Sequence, residues 1–212
     1  MKKKSLIIMF TLLMSVSAYT QSGKINVGVY GGAGISSTMM FSYQKAGFGY
    51  EGGLQLEYNI YKRISLISGI AYEKMSSIDK IDFNDTLNNP QSFTYNHRFD
   101  FITIPLLMRV NFGSKMKIFI NAGPSFNYLV YQEGKTIDNI NNTTSISSYI
   151  DHYDRIEMAI EVGAGVSYPV SDKITMSIEL RNKTGLTNIS KEDMATQKTM
   201  SLLLHLGINY YL

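Results

Sequence analysis

The chain has 212 residues, 44% of them hydrophobic and only 17% charged, with 17 Gly, 15 Tyr, 12 Met and neither Cys nor Trp. That length suffices for one sizeable domain, and the missing cysteine excludes disulfide scaffolds, thiolate zinc sites, Cys nucleophiles and N-terminal lipoprotein acylation. A mean hydropathy of −0.06 argues against a bundle of transmembrane helices.

Taken from the N-terminus, Lys2, Lys3 and Lys4 precede an apolar run from Leu6 to Met14 and small residues ending Val16, Ser17, Ala18, the pattern of a cleaved secretory signal. The run is about ten residues, below the roughly 20 that a bilayer-crossing helix needs. Cleavage after Ala18 makes 1–18 the signal peptide and 19–212 the barrel domain. It removes three lysines and leaves 17 basic against 17 acidic residues. Nucleic acid is then excluded as a partner, because phosphate binding needs clustered positive charge.

Beyond residue 23 the chain is dominated by period-two alternation, the mark of strands with two unlike faces. Eight strands are expected, over 24–36, 47–61, 64–74, 95–112, 117–131, 154–168, 174–186 and 199–212. In the last, Met200, Leu202, Leu204, Leu206, Ile208, Tyr210 and Leu212 form one apolar set, while the intervening residues are mostly polar or small. The connections alternate in length. Lys62–Arg63, 113–116 and 169–173 are tight turns, whereas 37–46, 75–94, 132–153 and 187–198 are long and polar. An even number of strands, short turns at one rim and long loops at the other describe an all-β, eight-stranded antiparallel up-and-down transmembrane β-barrel. An exported chain of this kind leaves both termini in the periplasm and its long loops outside the cell, which places it in a Gram-negative outer membrane.

Aromatic residues of apolar parity fall near the strand ends, as interfacial girdles require. Tyr58, Phe112, Tyr168 and Tyr210 mark the short-turn rim; Phe48, Tyr50, Tyr72, Phe126 and Tyr128 mark the other. A soluble barrel of the lipocalin kind would show the same alternation with its faces reversed. The polar-parity face, however, carries Gly28, Gly32, Gly34, Gly53, Gly69, Gly123, Gly163, Gly165 and Gly207. Glycines weaken a strand without serving a water-facing surface, but they make room in a narrow lumen that side chains just fill. The same face holds a charge cluster of Glu51, Glu57, Arg109, Glu157, Glu161, Glu179, Arg181 and His205, together with Gln55 and Lys183. Charges removed from water need partners, so these are expected to form an ion-paired plug.

The stretch Phe101, Ile102, Thr103, Ile104, Pro105, Leu106, Leu107 with Arg109 resembles the Ile-Pro-Leu-Leu strand of the PorT-like outer-membrane β-barrel family of Bacteroidota. Ala122–Gly123–Pro124, the block 163–166 and the block 185–189 are similar to its later blocks in order and spacing, so the resemblance spans about 24–212. It implies an eight-stranded barrel without an established enzymatic activity for most members, the founding relative being linked to type IX secretion. The chain departs from many such barrels in ending Tyr210, Tyr211, Leu212 instead of on an aromatic residue. Pro105 lacks a ladder donor and therefore implies a bulge or a local break in pairing on the lumen side.

The expected function is a non-enzymatic barrel with a filled lumen and an envelope or surface-interaction role, without cofactor, catalytic residues or metal. Its expected partners are outer-membrane lipid, the barrel assembly machinery during insertion, and a secretion or surface protein. The alternative is a rim hydrolase acting on envelope lipid or protein, with His152, Asp151 or Asp154, and Ser147 or Ser148 in the third long loop. A calcium site at Asp79, Asp82 and Asp85 lacks the alternate-residue spacing of an EF-hand loop.

Overall fold

A backbone crossing hydrocarbon can satisfy its N–H and C=O groups only on neighbouring strands, and this chain does so all the way round. The computed structural model describes residues 25–39, 45–84, 90–191 and 197–212. The expected signal peptide and its cleavage point lie outside them. The strands are β1 (Ile25–Met39), β2 (Lys45–Tyr61), β3 (Ile64–Asn84), β4 (Pro90–Phe112), β5 (Lys117–Asp138), β6 (Thr143–Ser147), β7 (Ile156–Pro169), β8 (Ile174–Gly185) and β9 (Lys198–Tyr211). They hydrogen-bond in the order β4-β3-β2-β1-β9-β8-β7-β5, and β4 pairs back onto β5. Every pairing is antiparallel, so eight strands close into a barrel.

The alternation in the sequence becomes the two faces of this wall. On β9, Leu202, Leu204, Leu206, Ile208 and Tyr210 are exposed while Ser201, Leu203, His205 and Asn209 are buried. On β5, Ile118, Ile120, Phe126 and Tyr128 face out and Phe119, Asn121, Ser125 and Asn127 face in. A soluble barrel would invert this arrangement.

Three expected boundaries are corrected by the ladder. The segment 75–94 is not a long loop: β3 and β4 stay paired out to Asn84↔Pro90. Within 132–153, β5 runs on to Asp138 and its end pairs with the short β6, from Gly134↔Ser147 to Asp138↔Thr143. Above the barrel both faces of these strands meet water, so apolar alternation stops while pairing continues. The β5–β6 turn is built locally. Asp138 accepts hydrogen bonds from the Ile140 and Asn141 amides at 2.9 and 3.0 Å, which hold its carboxyl below the usual range, and Asn142 takes a left-handed φ of 53°.

At the opposite rim the turns are short. Lys62 and Arg63 join β2 to β3, and Gly113, at φ +97°, supplies the conformation that turns β4 into β5. Ser171 Oγ accepts from the Ile174 amide at 3.2 Å in the β7–β8 turn. Pro105 breaks the pairing without a bulge: the β3–β4 ladder runs to Ser68↔Leu106, stops opposite the proline and resumes in register at Ala71↔Thr103. The Ser68 hydroxyl donates to the Pro105 carbonyl at 2.9 Å.

Ring closure predicts resistance to detergent, so unheated protein should migrate differently from boiled protein on a gel; identical migration would count against closure. Leu106→Arg and Ile160→Arg, on the outer apolar face, should each cost about 2 to 4 kcal/mol of folding free energy in vesicles if they sit near the bilayer midplane.

Candidate functional site

The barrel interior concentrates the charge that the outer face lacks. Glu51, Glu57, Glu73, Glu157, Glu161, Glu179, Arg109, Arg181, Lys183 and His205 are all buried. Eight of them, all but Glu157 and His205, connect into one path. Arg109 Nη1 donates to Glu57 at 3.1 Å and Nη2 lies 3.5 Å from Glu179. Glu179 accepts a two-pronged contact from Arg181, at 2.6 and 3.0 Å. Arg181 reaches Glu161 at 3.4 Å, and Glu161 lies 3.7 Å from the Lys183 ammonium. Lys183 ends the path by donating to Glu73 and, at 3.2 Å, to Thr103 Oγ1, with Glu51 at 3.8 Å.

Neutral donors serve oxygens of Glu157, Glu51 and Glu73. Glu157 accepts from Asn127 at 2.8 Å and from Thr199 Oγ1 at 2.7 Å. Tyr30 donates to Glu51 at 2.6 Å and Ser201 to Glu73 at 2.9 Å. Flat faces complete the packing: Arg109 lies 4.0 Å from the Phe119 ring centroid, and His205 meets Tyr30 edge-on at 5.3 Å. Gly32 admits this last pair, because a Cβ there would overlap the His205 ring.

The lumen ends differ. Towards the long loops an apolar cap of Met75, Phe99, Phe101, Leu129 and Ile189 closes it, with Ile150 and Tyr153 packed on top. Ile189 comes from the fourth long loop and is pinned by hydrogen bonds from its amide to Gln197 O at 2.9 Å and from the Asp154 amide to its carbonyl at 2.8 Å. Towards the short turns lies an open polar vestibule of about 490 Å³, lined by Glu57, Arg109, Asn209, Lys62 and Lys117 among others.

The structure places the other sequence candidates as follows. Phe48, Tyr50, Tyr58, Phe112, Phe126, Tyr128, Tyr168 and Tyr210 lie exposed on the outer face; Tyr72 is half-buried and donates to Asp100 at 2.6 Å. In the third long loop, Ile150–His152 form a single 3-10 turn. The Ser148 hydroxyl donates to the Gln132 carbonyl at 2.8 Å, and Asp151 lies 4.0 Å from Arg155. Asp79 sits 3.8 Å from His97, whose imidazole burial pushes below its usual range. Asp82 pairs with Lys80 at 3.1 Å, and Asp85 lies outside the described residues.

Sequence reasoning missed Glu73, Tyr30 and Thr103. Each carried a signal: Glu73 shares the parity of Gly69, Tyr30 that of Gly28 and Gly32, and Thr103 that of Arg109. Glu73 was obscured by lying at the expected end of its strand.

The model of a family described as outer membrane protein beta-barrel domain matches residues 17–191. Among solved structures, Neisserial surface protein A is similar at 13% identity and a TM-score of 0.51, covering 91% of this chain and 100% of that one. A major outer membrane protein from Thermus thermophilus has 13% identity and a TM-score of 0.49, covering 89% of this chain and 99% of that one. Ail, the attachment invasion locus protein of Yersinia pestis, has 12% identity and a TM-score of 0.41, covering 90% and 99%. No curated protein matches the chain.

Lys183→Met strips Glu51, Glu73 and Glu161 of a shared cation and should cost about 3 to 5 kcal/mol, the usual consequence of leaving a buried carboxylate unpaired. Combining it with Glu73→Leu should restore part of the loss. Urea titration in vesicles reads both, and an unaffected single variant would mean that water, not Lys183, solvates these carboxylates.

Proposed function

The chain belongs to the outer membrane protein β-barrel domain family, and from that premise we propose a non-enzymatic barrel that engages a secretion or surface protein through the sheet rising above its long-loop rim. The supporting observation is that this sheet outgrows the membrane. β3, β4 and β5 have 21, 23 and 22 residues, whereas β8 and β9 span the wall with 12 and 14. At about 3.3 Å per residue, ten extra residues project roughly 30 Å. Ile81, Phe83 and Ile146 are exposed on the projection, and Phe83 stacks on Phe93 at 6.0 Å. Exposed apolar residues beyond the lipid mark an interaction surface. β6 pairs only with β5 among the described strands, so its free edge suits an extended partner segment.

With this function the lumen serves as a core and not a passage. Residues 1–18 direct export, the barrel assembly machinery inserts the chain, and the aromatic residues Phe48, Tyr50, Tyr72, Phe126 and Tyr128 sit at the outer interface, with Tyr58, Phe112, Tyr168 and Tyr210 at the periplasmic one. The PorT-like blocks around Phe101–Leu107 extend the proposal to a partner within type IX secretion. A rim hydrolase has less in its favour: of its two candidate nucleophiles, Ser147 and Ser148, the second already donates its hydroxyl to the Gln132 carbonyl.

Cross-linking of intact cells tests the proposal. The parent chain should capture a surface or secretion protein, and the Phe83→Ser, Ile146→Ser double variant should lose it with gel mobility unchanged. Recovery of lipopolysaccharide alone from both would favour an envelope role and overturn partner binding.

A further inference from the structure

The outer wall is not uniformly convex. A groove of about 470 Å³, lined almost wholly by apolar atoms, crosses β1, β9, β8 and β7. It lies between two cross-strand rows of outward side chains, one running from Val29 through Ile208 and Met176 to Tyr168, the other starting at Gly31. Gly31 opens the upper end because it brings no side chain. Met116, in the β4–β5 turn, closes the lower end. Four strands spaced about 4.8 Å apart give a groove of roughly 15 Å. Strand tilt makes a path across them run obliquely, here from mid-wall to the short-turn rim.

That rim has a distinct charge. Among the described residues the short turns and the first residue of β5 carry Lys62, Arg63, Lys115, Lys117 and Lys173 against one acid, Asp172. Two of the lysines stand at the groove's foot. Lys115 precedes Met116, and the Lys173 ammonium lies 5.6 Å from the ring centroid of Tyr210, the next outward residue beyond Ile208 on β9. A second cavity, of about 530 Å³ and lined by Lys115, Lys117, Ser171 and Asp172 among others, meets the groove at Ser167 and Tyr168 and the lumen vestibule at Lys117, Thr175 and Tyr211. The groove therefore ends, at Met116 and Tyr168, on the basic rim.

We propose that this groove is a binding site for one anionic phospholipid of the periplasmic leaflet, its acyl chain between the two rows and its phosphate on Lys115 and Lys173. The assignment rests on the membrane orientation given above, with the short turns in the periplasm. A zwitterionic headgroup would add a positive charge beside the lysines, and so is disfavoured. A second copy of the chain is a poorer occupant, because in one membrane it brings the same basic turns to the same height.

Native mass spectrometry with phosphatidylglycerol and phosphatidylcholine of identical acyl chains tests the site. Phosphatidylglycerol should be retained preferentially, and Lys115→Gln and Lys173→Gln should each weaken it about fivefold. Gly31→Leu should fill the groove and release the lipid while the unheated gel mobility stays that of the parent, since a Cβ at Gly31 approaches nothing closer than the Glu51 carbonyl at 3.8 Å. Equal retention of the two lipids, lipid retained by Gly31→Leu, or a dimer dissolved by that substitution would each overturn the site. Loss of the unheated gel form in the parent chain would instead overturn the membrane reading beneath it.

Discussion

Closure of the backbone ladder is the constraint from which the rest of this molecule follows. Hydrocarbon offers no partner for a peptide N–H or C=O, so an open sheet edge within it costs several kcal/mol per group. The β4–β5 pairing removes that edge. Once the sheet is closed, each strand residue faces either lipid or lumen, and composition divides accordingly. The interruption at Pro105 is tolerated because the β3–β4 ladder resumes in register at Ala71↔Thr103 and the β4–β5 ladder at Met108↔Ala122, and Ser68 takes up the Pro105 carbonyl.

A closed eight-stranded ring also fixes what lies inside. Its interior is about one side chain wide to the axis, so residues from opposite walls meet and must satisfy one another. Lys183 on β8 reaches Glu73 on β3, and Arg109 on β4 reaches Glu57 on β2 and Glu179 on β8. Such pairs are weak stabilisers when compared with apolar residues of equal volume, but each is costly to break singly. They therefore favour one register over its neighbours: a slip of one strand by one residue would carry that strand's charged side chains into lipid. The apolar cap of Phe99, Phe101 and Ile189 marks where this polar core ends.

The barrel was legible in the sequence because lipid on one side and a narrow lumen on the other force strict alternation. Leu202 to Leu212 could be assigned to faces from parity alone, and Glu51, Glu57, Arg109, Glu157, Glu161, Glu179, Arg181 and His205 all lie inside. Legibility fails where that contrast fades. Above the rim, Lys80, Asp82, Thr94 and Asn96 meet water on both faces, so their strands resemble polar loops and only the pairing Lys80↔Thr94 reveals them. Glu73 was lost at this transition. The partnerships were also invisible, since sequence gives the face of Lys183 but not that Glu73, 110 positions away, lies opposite it.

Glycine placement shows how finely the two faces are separated. Gly31 and Gly32 are neighbours in β1 yet serve opposite surfaces. Gly32 clears space in the lumen for the His205 ring, where a Cβ would collide with it; Gly31 looks outward, where a Cβ would meet nothing nearer than the Glu51 carbonyl at 3.8 Å, and leaves a dent in the apolar wall. The inward glycines belong to the packing problem of a small barrel: side chains lean across Gly28, Gly32 and Gly163, while at Gly34, Gly69 and Gly123 a Cβ would meet the backbone of the neighbouring strand. Packing inside the barrel gives no such account of Gly31, nor of Gly52 opposite it, because any aliphatic residue could stand there and would improve strand propensity. A strand that forgoes side chains on its lipid face, beside a groove leading down to basic turns, has its shape set by what lies outside the wall.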